Sequence, residues 1–163
     1  MIPSAVKPPA ETIGRLLAAE LLKLQEFRTL LAREQTLLQS GDAEGLLGLT
    51  ENKSALATRL GELLGEREQV LTSAGFKAGR EGMEAWLASQ PAKAAARVEW
   101  QQLLRLAEEA RREHDINGKL IAIHLQHNQQ ALATLMSAGG RPLTYGPDGQ
   151  QRVGGGGRVL GSA

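Results

Sequence analysis

The chain contains no cysteine. That excludes a disulfide framework, a thiolate metal site and a cysteine nucleophile, and it is compatible with a reducing compartment. Aromatic side chains are scarce too: Phe27, Phe76, Trp86, Trp100 and Tyr145 are the whole set among 163 residues. With β-branched residues also sparse, a pleated sheet has few of the residues that favour it. Neither sign of charge dominates. Nineteen Lys and Arg against eighteen Asp and Glu leave a formal net charge of +1, too little for the basic stripe that nucleic-acid binding needs. The opening MIPSAVKPPAETIG lacks the continuous apolar region of a signal peptide. No run approaches the ~20 apolar residues that span a bilayer. The expectation is a cytoplasmic protein without a nucleic-acid partner or stable membrane insertion.

Leucine and alanine supply most of the apolar side chains, at helical spacing. Ala10, Leu17, Leu24, Leu31 and Leu38 recur every seven residues, with Ile13, Glu20, Phe27 and Glu34 between them. Leu16, Leu30 and Leu37 widen that stripe, which is the face of a bundle helix starting at Pro8-Pro9 and ending near Ser40-Gly41. Asp42 is placed to cap the next helix. Its seam reads Leu46, Leu49, Lys53, Leu56, Leu60, Leu63, Arg67 and Val70, in alternating steps of three and four. The short connection predicts an antiparallel hairpin over about 10–73. Gly45, Gly48, Gly61 and Gly65 each cost this second helix roughly 0.8–1 kcal/mol relative to alanine, so it depends on packing.

A linker around Gly75 to Gly82, with Phe76 as a plug on the bundle end, leads to a short helix over about 81–89. Met83, Trp86 and Leu87 lie on one side of it; Trp86 reads as a cap on the core rather than a ligand-stacking ring. The last helix is expected from Pro91 to about Ser137. Its seam is Ala96, Trp100, Leu103, Ala107, Ala110, His114, Asn117, Ile121, His124, Asn128, Ala131 and Leu135. At 1.5 Å per residue it spans roughly 69 Å against about 46 Å for each hairpin arm. About 15 residues therefore exceed the hairpin, leaving the stripe of Leu125, Leu132, Leu135 and Met136 as a binding surface. After it, 139–163 hold nine of the nineteen glycines and three arginines against one aspartate. The predicted architecture is all-α: an elongated antiparallel bundle or coiled coil of three long helices plus one short helix (1–138), then a flexible glycine-rich tail (139–163).

Chemistry has little to work with. Glu20 and Glu34 face Lys53 and Arg67 across the hairpin seams, and no pocket or nucleophile accompanies them. Register-setting ion pairs explain them better than acid–base catalysis. Glu34 with Lys53 and Glu20 with Arg67 share one residue-number sum, so a single offset register satisfies both, although a tight loop favours a slightly different one. His124 and His127 are three apart, a spacing that can bring two imidazoles to a metal, but no cysteine joins them and His114 is ten residues away. No catalytic, metal or cofactor residue is named, and the expectation is a protein that is not an enzyme. The tail resembles a phosphate loop only in glycine content, since no GK[ST] follows and no strand precedes it. Asn117 and Asn128 in the last seam specify register at some expense of stability. Gly118 is expected to allow close helix approach or a bend.

These residues carry a family resemblance. The opening LLKLQEFRTLLAREQTLL, then GDAEGLLGLTENKSAL with Leu60 and Arg67 following, the short WLAS, the order INGKLI, LATL, YGPDGQ, and the end RVLGSA together resemble the FlgN flagellar export chaperones over nearly the whole chain. The resemblance implies a cytosolic helical protein in bacterial flagellum assembly. It would bind the hook-associated proteins of the hook–filament junction (FlgK and FlgL), prevent their premature assembly and deliver them to the flagellar type III export gate. Client recognition, assigned to the C-terminal part of the family, would fall on Asn117, Ile121, Leu125, Asn128, Leu132, Leu135, Met136, Leu143 and Tyr145. Two alternatives stand beside it: a coiled-coil module that homodimerises through the same stripe, if only weakly, and a helical metalloprotein built on the histidines.

Overall fold

The computed structural model describes residues 9–92 and 94–139. Four α-helices and no strand occur among them: α1 Pro9–Ser40, α2 Ala43–Ser73, α3 Gly79–Ser89 and α4 Ala95–Ala138. The chain divides into two units, Met1–Ile123 and His124–Ala163.

The turn between α1 and α2 is made by two residues, of which Asp42 serves both helices. Gly41 adopts φ 73°, and its N–H donates to the Leu38 carbonyl at 3.3 Å while Asp42 N–H donates to Leu37 at 3.0 Å. These bonds satisfy the last carbonyls of α1. The Asp42 carboxylate then accepts from Gly45 N–H at 2.9 Å and caps α2, as the sequence predicts. Gly45 sits close by: a Cβ there would lie 2.7 Å from Asp42 Oδ2 and 2.9 Å from Leu37 Cδ2, so the capping carboxylate and that leucine would have to shift. The end of α2 repeats the device: Gly75 has φ 86°, and Phe76 N–H reaches back to the Leu71 carbonyl at 3.0 Å. Phe76 packs on the core there, the plug expected of it.

α1 and α2 run antiparallel, and both seam ion pairs form in one register. Lys53 Nζ lies 2.7 Å from Glu34 Oε1, and Arg67 Nε lies 2.6 Å from Glu20 Oε1. α3 closes the hairpin end with Met83, Trp86 and Leu87 buried against Ile13, Leu17 and Leu71. α4 then passes along the hairpin parallel to α1, so that Trp100 meets Arg67 and Asn117 meets Glu34. The apolar core of the first unit is built from one face each of α1, α2 and α4, with α3 across the end.

Two details of α4 differ from the sequence expectation. The helix starts at Ala95 rather than Pro91. Gln90, forced toward extended backbone by the following proline, has ψ 159°. Pro91 then opens a turn in which Ala94 N–H bonds its carbonyl at 2.9 Å. The Arg97 guanidinium fixes this corner by donating to the carbonyls of Leu87 and Gln90. The inward seam also takes the other heptad phase. Leu103, Ala110 and Asn117 are buried as expected, but Leu106 rather than Ala107 fills the position between them. His114 is exposed, and half-buried Glu113 faces α1 in its place.

Candidate functional site

Asn117 is the last buried residue of α4. It is 2% exposed and donates both amide hydrogens, to the Leu31 carbonyl at 2.9 Å and to Glu34 Oε2 at 2.8 Å. Glu34 thereby bridges Lys53 of α2 and Asn117 of α4, a polar layer joining all three long helices. A second clasp lies one to two turns earlier. Arg28 pairs with Glu109 at 2.7 Å and with both oxygens of Glu113. The hydrogen bond to Glu113 raises the Arg28 pKa above its ordinary value; slight burial opposes this, and the charges of Glu113 and Glu109 add to it. Asn117 is thus turned into the bundle rather than toward solvent. Its amide is spent on α1, which fits the register role of a seam asparagine better than recognition.

The next residue, Gly118, has nothing within 4 Å of where its Cβ would be. The close helix approach expected there does not occur. Within the first unit α4 continues with Leu120 half-buried and Ile121 at 47% exposure. Ile116 and Ile123, absent from the sequence-derived site, are also exposed. Ile121 is turned outward because the seam runs through Leu120 in the phase set by Leu106.

The second unit contributes helix from 124 to 138, and no residue in it is buried. Leu125 is 57% exposed, Leu132 58%, Leu135 70% and Met136 69%. At about 100° per residue these four and Asn128 share one stripe about 100° wide, the width by which a helix normally faces a core. Here the stripe faces solvent. Four large apolar side chains clustered on one side of a helix differ from singly scattered surface leucines such as Leu22 or Leu47. Leu143 and Tyr145 lie outside the described residues.

Other features offer less. A cleft of about 560 Å³ between α1 and α2 has Leu30, Ala55 and Leu56 on its walls, with the Lys23–Glu26 pair and Arg59 at its rim. Among the described residues no three His, Asp or Glu are grouped to hold a metal. No described helix is long and apolar enough to cross a membrane.

The comparisons identify the kind of protein. The family model described as FlgN protein matches residues 10–152. The chain belongs to the FlgN family. It is similar to the flagella synthesis protein FlgN of Yersinia enterocolitica, 35% identical over 144 residues, which are 87% of this chain and 90% of that one. The FlgN of Proteus mirabilis is 30% identical over 142 residues, covering 86% and 90% of the two chains. No solved structure matches. Membership assigns the chain to flagellum synthesis, and the family is not an enzymatic one.

Proposed function

We propose that the chain is a cytoplasmic export chaperone for hook-associated flagellar proteins, FlgK and FlgL by family resemblance. It holds them from premature assembly and hands them to the flagellar type III export gate. The observation that carries this reading is the solvent-facing stripe of Leu125, Leu132, Leu135 and Met136 on a helix whose own unit buries none of it. An amphipathic helix of the client lies along the stripe and hides the apolar surface it would otherwise use to polymerise. Neither nucleotide nor metal enters the cycle. Leu143 and Tyr145 extend the grip beyond the helix.

The test is a pull-down of a hook-associated protein by the parent chain, by a truncation lacking 139–163 and by Leu132→Asp, Leu135→Asp. Binding should fall at least tenfold in the double variant, since two charges enter an apolar interface, and the truncation should bind more weakly than the parent. Full binding by both variants removes the stripe from the mechanism. A client-free stable dimer that dissolves in the double variant would favour homodimerisation instead.

A further inference from the structure

We infer that the partner segment for this face is an uncharged amphipathic helix, its apolar stripe bordered by amides and hydroxyls, docked without a single ion pair. The inference rests on the client-binding reading above. Between Lys119 and Arg141 the chain has no Asp, Glu, Lys or Arg for 21 residues, while every other charge-free run has at most eight. The boundary is abrupt, with seven charged residues between 108 and 119. His124 and His127 are the titratable side chains inside the run.

Exposed helix surface elsewhere in the protein follows the usual rule and carries ion pairs: Arg59–Glu62, Arg80–Glu84 and Arg112–Glu108. The segment 124–138 is exposed like these, yet Gln129 and Gln126 border its stripe on one side, His124, Ala131 and His127 on the other, and Gln130 and Thr134 lie on the opposite face. Forgoing charge on open helix surface sacrifices solubility and local pairing. The loss is explained when the flanks as well as the stripe are covered by a partner. A desolvated charge without a counter-charge is far more costly than a desolvated amide, which any facing amide or hydroxyl can satisfy. By the same argument, a client bringing Lys or Glu to the margin formed by Gln126 and Gln129 would bury it against amides and be rejected. Recognition without Asp, Glu, Lys or Arg on this face leaves little for salt to screen.

The experiment is calorimetric titration of a purified hook-associated protein into the full chain. Between about 50 and 500 mM NaCl the Kd should change less than about threefold, because no charge pair is screened. Gln129→Glu and Gln129→Lys, at the stripe margin, should each weaken binding about tenfold and in the same direction, since neither sign finds a counter-charge. Circular dichroism checks that both stay helical. A steep salt dependence, or one sign tightening while the other weakens, overturns the inference. Leu132→Asp, Leu135→Asp separates the two claims. If it abolishes binding while the Gln129 variants split by sign, the face stands and the uncharged partner does not. If it binds like the parent, or the parent does not bind at all, the face itself is wrong and this inference goes with it.

Discussion

Glu20 and Arg67 show how much one residue depends on its partner. Both are buried, and Arg67 also lies with Cζ 5.0 Å from the centre of the Trp100 ring. That contact partly offsets the Arg67 Nη1 donor, which has no hydrogen-bond partner. Glu20→Leu strands a guanidinium in the core and should destabilise the protein by about 3–5 kcal/mol in urea unfolding. Adding Arg67→Met should recover the loss to within about 1 kcal/mol, because two apolar groups of similar volume fill the site. A double variant no more stable than the single would show that the pair is not a coupled unit. The glycines of α2 divide just as sharply. Gly48, Gly61 and Gly65 meet nothing, so alanine at each should raise stability by about 0.8–1 kcal/mol, readable as a higher thermal midpoint. At Gly82 of α3 alanine should lower it, since the Cβ would collide with the Lys77 carbonyl oxygen. Nothing in the sequence separates these glycines; the difference is only in what stands opposite each.

Among the elements, α1, α2 and their turn were the most legible. Heptad leucines, a Gly-Asp pair and two matched charge pairs all specify one register, and local and long-range signals agree. Asp42→Ala should cost about 1 kcal/mol in thermal unfolding through the lost cap. An unchanged midpoint would mean that the Gly41 turn alone holds the corner. α4 was less legible at both ends of its bundle contact. Ala107 and Leu106 are adjacent, so periodicity serves either heptad phase. What selects Leu106 is its larger apolar volume together with Arg28 of α1, which draws Glu109 and Glu113 to its side. The Arg28 clasp has no local sequence signature, as its partners are more than 80 residues away. Pro91 failed as a helix start because its effect on Gln90 outweighed its own suitability for a first turn.

For the molecule as a whole, the stripe on 124–138 is separate from what holds the fold. The core ends with Ala110, the polar layer ends at Asn117, and none of the stripe residues belongs to either. Leu132→Asp, Leu135→Asp should therefore unfold at the parent's temperature, within about 2 °C, while losing its client. A large drop in midpoint would mean that those leucines support the fold. Leu125, Leu132, Leu135 and Met136 could be named as a surface from helix lengths alone, because an arm longer than its partners must leave side chains uncovered. Asn117 could not be removed from that surface by the same arithmetic, which fixes how much helix is left over but not where the overlap ends.

What the sequence determined by itself was what short-range repetition carries: helix where leucine recurs at three and four, and a hairpin where glycine and aspartate interrupt it. It also carried the family, because the order of segments along the chain is itself sequence. What only the tertiary structure decided was which of two adjacent residues faces inward on α4, which glycines have neighbours, and that Asn117 is buried in the bundle. These depend on the distance between side chains far apart in the chain, and that distance exists only once three helices have packed.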